Sequence, residues 1–438
     1  MKKLLSFDFS NFRGDFFGGL TAGIVALPLA LAFGEQTELG AIAGLYGAIA
    51  LAIFAALLGG TPTQISGPTA PMTVVSAVII GKAVADADGS VETALPLIIA
   101  TFLLAGFFEA MLGVIRLGKY IKYIPYPVVS GFMSGIGVII VVSQIFPFFG
   151  GYTPKGGAIG TLTSIPKIPG MITNYYSILV ALVTIGIIYL LPRITKAVPS
   201  ALVALVAVSL GAALIFGADD ILRINSKGPI PTGLPKLQLG FLAVFQDWSK
   251  LMLVMEYAIT LALLGAIDSL LTSVVADNMT KTKHHSDQEL IGQGIGNMAS
   301  ALIGGLPGAG ATMRTVININ SGGKTKISGI VAGLFLLAVL LGLGSLVGHV
   351  PNAVLAGILI TVGIGIIDYK GLKHLGSVPL TDAIVMITVL VLTVFVDLLI
   401  AVAIGMILSS ILFMKKISDV MEHRTQSAPS SYCRSPSI

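Results

Sequence analysis

Two long apolar runs of this chain are broken near their middles by glycine and proline. Those breaks constrain the fold more than any other feature. The first reads Gly60-Thr61-Pro62-Thr63-Gln64-Ile65-Ser66-Gly67-Pro68-Thr69-Ala70-Pro71-Met72. The second reads Gly304-Gly305-Leu306-Pro307-Gly308-Ala309-Gly310-Ala311-Thr312-Met313-Arg314. Neither can be continuous helix, because proline lacks a backbone donor and glycine is costly in a helix interior. Each leads into residues able to restart one, Thr73 to Lys82 and Thr312 to Ile319. Backbone N–H and C=O groups freed at membrane depth are tolerated only inside protein or beside a wet cavity. A matched pair of interrupted segments, one in each half of a chain, points to the binding site of a secondary transporter.

Membrane depth is the right frame because 55% of the 438 residues are apolar and 11% are charged. A soluble domain carries about a quarter charged. The chain therefore reads as an all-α polytopic integral membrane protein. At roughly 20 residues per span, it has room for about 12 to 14 spans. Apolar segments fall at about 16–34, 41–59, 67–82, 94–115, 124–148, 175–191 and 198–216 in the first half. A second series lies at about 252–276, 287–304, 311–320, 326–347, 351–367, 381–396 and 397–414. Segments 3 and 10 are half-length. The polar stretch 217–250 between the series contains Pro229, Pro231 and Pro235, which exclude a helix there.

Fourteen spans also fit the positive-inside rule. With the N-terminus inside, Lys2, Lys3, Arg116, Lys119, Lys281, Lys283, Lys415 and Lys416 fall on the inner side, and Asp86, Asp88 and Glu92 outside. Both termini are expected in the cytoplasm, in a bacterial plasma (inner) membrane. Residues 1–15 lack an apolar core, so no cleavable signal peptide is expected.

Other classes are disfavoured. The net charge of +5 comes from loop lysines and arginines, and no domain outside the membrane is large enough for nucleic acid. The single cysteine, Cys433, permits no internal disulfide. No phosphate-binding loop follows a strand, so neither an enzyme nor an ATP-driven pump is expected. Gly292-Gln293-Gly294-Ile295-Gly296 reads as helix-packing glycine. His284 and His285 have no further ligands at metal spacing and read as a solvated basic loop.

The halves repeat one another. Gly67-x-x-Ala70-x-Met72 is answered by Gly308-x-x-Ala311-x-Met313, and Pro125-x-x-Val128-x-Ser130-Gly131 by Pro351-x-x-Val354-x-Ala356-Gly357. Gly137 and Gly363 follow at the same offset. Each match pairs span n with span n+7. Seven is odd, so the halves would be inverted relative to each other.

The breaks point to an anion. Helix N-termini carry free N–H groups and partial positive charge. Half-helix 3 would offer Thr69, with its hydroxyl, and Ala70; Pro68 and Pro71 have no N–H to give. Half-helix 10 would offer Ala311, Thr312 and Met313. Arg314 is the one arginine well inside an expected span. It would attract the anion, or else snorkel to the inner surface. Asp268 lies mid-span with Thr272 four residues on, on the same helix face. A carboxylate, a hydroxyl and broken-helix carbonyls make a hard-oxygen set suited to Na⁺. Asp268 could instead carry a proton or pair with Arg314. Glu109 in span 4 is a further intramembrane carboxylate, with gating or coupling as candidate roles.

Several stretches carry a family resemblance. They are Asn11-Phe12-Arg13-Gly14-Asp15, Gly18 to Pro28, Ile65 to Met72, Asp268-Ser269-Leu270-Leu271-Thr272-Ser273 and Gly308 to Thr312. They resemble the SulP family of anion transporters, and Thr272 through Asn297 resembles its BicA-type sodium-coupled bicarbonate branch. The resemblance implies fourteen spans as a seven-plus-seven inverted repeat. Spans 1–4 and 8–11 (about 16–116 and 252–347) would form a mobile core. Spans 5–7 and 12–14 (about 124–216 and 351–416) would form a gate, and 417–438 a polar cytoplasmic tail. The anion would lie at the midplane between half-helices 3 and 10, walled by Phe33. Gly310, Ala311 and Thr312 would join Asp268 and Thr272 around Na⁺. A homodimer is a family expectation. So is a cytoplasmic STAS domain after the last span, expected to be absent here because the sequence stops at Ile438.

The implied function is secondary active bicarbonate transport with Na⁺ by an elevator-like movement. The alternatives are proton-coupled sulfate or dicarboxylate transport and, behind these, an anion channel. Two positions depart from the BicA-type pattern. Arg314 stands where those proteins have glycine, and Gly67 where they have glutamate. Both changes make the site more positive and keep the sulfate alternative open.

Overall fold

The computed structural model describes residues 9–121, 125–154, 157–167, 175–195, 198–217, 220–227, 235–246, 248–373, 380–396, 400–401, 404–412 and 414. These residues are mostly helical. The longer helices are α1 (Phe12–Glu35), α2 (Ala41–Leu58), α3 (Ala70–Asp86), α4 (Val91–Val114), α5 (Tyr126–Ser143), α6 (Tyr175–Ile194) and α7 (Ser200–Ile215). They continue as α8 (Trp248–Thr280), α9 (Ser286–Leu302), α10 (Thr312–Asn320), α11 (Lys326–Val347), α12 (Asn352–Ile366) and α13 (Leu380–Phe395). Residues 400–401 and 404–412 are also helical, and the rest of the expected last span lies outside the described residues. Among the described residues, seven helices are long and apolar enough to cross a membrane, and three shorter apolar ones, α7, α12 and α13, accompany them. The chain is an integral membrane protein.

The described residues fall into two compact units, Met1–Tyr123 with Ile136–Ile366 and Ile124–Gly135 with Ile367–Ile438. The expected core and gate divide the chain at other points. In the smaller unit, the Asp368 carboxylate accepts from Tyr126 Oη, from Ser130 Oγ at 2.6 Å and from Gly371 N at 2.9 Å. That network ties the start of α5 to the turn that follows α12.

The larger unit holds both breaks. Here α9 packs chiefly on α4 and α2, and α11 on α1 and α2. Small residues make this closeness possible: a Cβ on Gly294 would lie 2.4 Å from Gly106 O. Lipid supplies no hydrophobic drive between helices, so close backbone contact is the main source of cohesion. The repeat-related glycines also meet, since a Cβ on Gly363 would stand 2.9 Å from Gly137 O. The Asn11–Asp15 motif pins the start of α1. Asp15 accepts from Lys324 N (2.7 Å), Thr325 N (2.9 Å) and Thr325 Oγ1 (2.8 Å).

Candidate anion and cation site

The two breaks satisfy each other. Ser66–Gly67 and Ala309–Gly310 pair as two antiparallel strands, with Ser66 opposite Gly310 and Gly67 opposite Ala309. Ala311 N donates to Ile65 O at 2.9 Å, and Ile65 N donates to Thr315 Oγ1 at 3.1 Å. Freed backbone groups thus find partners where water is scarce. The approach requires glycine. A Cβ on Gly308 would sit 2.1 Å from Gly67 O, and one on Gly310 2.0 Å from Gln64 Nε2.

Two helices start from this bridge. Thr69 precedes α3 and Ala311 precedes α10, both in extended conformation. Thr69 and Ala70 are buried. Pro71 has no N–H, so Ala70 and Met72 supply the first-turn donors of α3. At α10 the Ala311 N–H is already taken by Ile65. The expected donor set there shrinks to Thr312 and Met313. Met313 directs its side chain outward, 72% exposed. Phe33 is buried in the last third of α1.

Arg314 is 2% exposed. Its Nη2 donates to Pro68 O, while Nε and Nη1 have no partner among the described residues. An unpaired buried N–H costs about 1–3 kcal/mol, more when charged. This guanidinium does not snorkel. It is held at the break with donors to spare, which fits an anion. The two departures noted in the sequence are one spatial event. A Cβ on Gly67 would lie 2.3 Å from Arg314 Nη1, so a side chain at 67 and the arginine compete for the same space.

The hard-oxygen set gathers at the start of α10. Thr272 Oγ1 lies 2.8 Å from Gly310 O and 2.7 Å from Thr312 Oγ1. Asp268 is one turn earlier on α8. Its Oδ2 is shielded and unpartnered, and the Thr69 hydroxyl faces the carboxyl without closing a hydrogen bond. Carboxylate, hydroxyls and a carbonyl are the ligands a hard cation takes. Among the described residues no ion pair joins Asp268 to Arg314.

Sequence reasoning missed the scaffold under the bridge. Glu289, Gln293 and Asn297 recur at four-residue spacing on α9, one polar stripe on one face. Glu289 accepts from Gly60 N, Thr61 N, Gln64 Nε2 and Gln293 Nε2, each at 2.8 Å. Asn297 binds the Gly308 peptide at both ends, accepting from its N at 2.8 Å and donating to its O at 3.0 Å. Ser269 Oγ accepts from Gly310 N at 3.1 Å, and Ser273 Oγ donates to Gln64 Oε1 at 3.0 Å. The stripe was readable, but glycines dominate the pattern around it. His284 is not a solvated loop residue either. Its Nδ1 is 2.7 Å from Asp277 Oδ2 and its Nε2 2.9 Å from Ser286 Oγ.

Comparison with known proteins places this geometry in context. The model of the sulfate permease family matches residues 12–389. The chain is 48% identical over 421 residues to the bicarbonate transporter BicA of Synechocystis sp., covering 96% of this chain and 72% of that one. The solved transmembrane domain of a cyanobacterium bicarbonate transporter BicA superposes with a TM-score of 0.83 at 48% identity, over 90% of this chain and 98% of that one. The structure of SLC26A9 superposes at 0.80 with 20% identity, over 94% of this chain and 66% of that one, a likeness of fold.

Proposed function

The chain belongs to the sulfate permease family, and from that premise we propose that this anion transporter carries bicarbonate together with Na⁺. One observation carries the reading. Unpaired Arg314 donors and the oxygen set of Asp268, Thr272, Gly310 and Thr312 lie at one backbone bridge. An anion placed between the starts of α3 and α10 meets two helix dipoles, each worth roughly half a positive charge at its end, and the guanidinium. A cation at Asp268 then lowers the cost of holding that anion, and the anion that of the cation. This reciprocity is what couples two solutes.

The finer architecture belongs to the same reading. We take the chain as fourteen spans in two inverted halves. A core of about 16–116 and 252–347 carries the site past a gate of about 124–216 and 351–416. The interrupted helices in matching positions of both halves and the likeness to the BicA transmembrane domain support this. The setting is the plasma membrane, with both termini inside and a homodimer as assembly.

Arg314 also suits a doubly charged anion, so sulfate with a proton is the second reading. Competition against labelled bicarbonate uptake in proteoliposomes tests them. Excess unlabelled bicarbonate should suppress uptake while sulfate leaves it unchanged; suppression by sulfate would favour the second reading.

A further inference from the structure

Glu109 of α4 is fully buried, and the site described above does not use it. Its Oε2 accepts one bond, from Asn297 Nδ2 at 2.7 Å. Its Oε1 is shielded and has no partner among the described residues. It lies against α8 at Gly265, whose added Cβ would be 3.1 Å away. The acidic groups Asp268 of α8 and Glu289 of α9 oppose a charge on it. Of the other elements packed on α4, residues 240–246 carry no charge, and α3 carries Lys82 and Asp86 in its last turns, beside the start of α4 and away from Glu109.

The contrast with Glu289 is decisive. Both carboxyls are buried, but Glu289 receives four donor bonds and Glu109 one. Four donors can support a charge in dry protein; one donor, with no cation paired to it among the described residues and two acidic groups opposing it, cannot. We propose that Glu109 is a proton-binding site, a second ion site linked to the first through Asn297 and the Gly308 peptide. The amide orientation follows from the bonds. Asn297 Oδ1 must accept from Gly308 N–H, so its Nδ2 faces Glu109 Oε2. Oε1 therefore carries the hydrogen. Ionising Glu109 strengthens its pull on Asn297, which holds the peptide just before Ala309 and Gly310. A cation at Asp268 would offset the added charge, so proton release and cation uptake favour each other.

Infrared spectroscopy of the purified chain reads this directly, through the C=O stretch of a protonated carboxylic acid. In Na⁺-free buffer the wild type should show that band. Glu109→Gln should lose it, and Asp268→Asn should keep it. Asn297→Ala should retain the band at a shifted frequency, which covers the case of a Glu109→Gln variant that does not fold. No band in the wild type, or a band lost only in Asp268→Asn, would overturn the proposal. The link to transport rests on the reading above and is tested separately. Initial uptake rates at fixed bicarbonate concentration should lose part of their pH dependence in Glu109→Gln. A wild type without uptake would refute the transport reading and leave the band untouched. An unchanged pH profile in Glu109→Gln would refute the link.

Discussion

At the scale of the residue, Gly67 and Arg314 form one unit. The arginine occupies the space that any side chain at 67 would fill. Gly67→Ala should therefore push the guanidinium out of place without damaging the fold, since the atom met first is the end of a flexible side chain. Anion affinity measured by calorimetry should fall by roughly tenfold, about 1.4 kcal/mol. Arg314→Gln should cost at least as much. Equal affinities in wild type and both variants would remove Arg314 from the site. Arg314 was legible in the sequence because charge at membrane depth is rare. Its reciprocity with Gly67 was not, because the two lie far apart in the chain and meet only through the strand pairing. That Asp268 and Thr272 share one helix face was legible in their four-residue spacing. That Ala311 N–H is used up by Ile65 could not be foreseen, since it depends on the register of the bridge.

At the scale of the element, the breaks were plain from glycine and proline content, and α3 and α10 begin close to the expected positions. How the broken backbone is satisfied was hidden. Composition says that a helix stops, not that two stops will pair as strands. The pairing explains why Gly308 must remain glycine. A methyl there meets the Gly67 carbonyl, which is backbone and cannot swing aside. Gly308→Ala should destabilise by about 1–3 kcal/mol and lower the melting temperature of the purified protein by several degrees. Gly342→Ala, on α11 with nothing within 4 Å of the added Cβ, should leave the melting temperature unchanged or slightly higher. Matching shifts in the two variants would show that the bridge is not what holds the breaks together.

At the scale of the whole molecule, the sequence spoke through charge and repetition. The distribution of basic residues among the loops predicts an orientation that cysteine labelling can check. In a Cys433→Ser background, Asp88→Cys should react with an impermeant maleimide in intact cells, and Lys281→Cys only after permeabilisation. The reverse pattern would invert the molecule. On the reading proposed above, one bridge couples an anion beside Arg314 to a cation beside Asp268. Labelled bicarbonate uptake into proteoliposomes, with an inward Na⁺ gradient or with choline in its place, tests that claim in wild type and Asp268→Ala. Uptake that requires Na⁺ in the wild type and is lost in Asp268→Ala is the predicted result; wild-type uptake that ignores Na⁺ and persists in Asp268→Ala would contradict it.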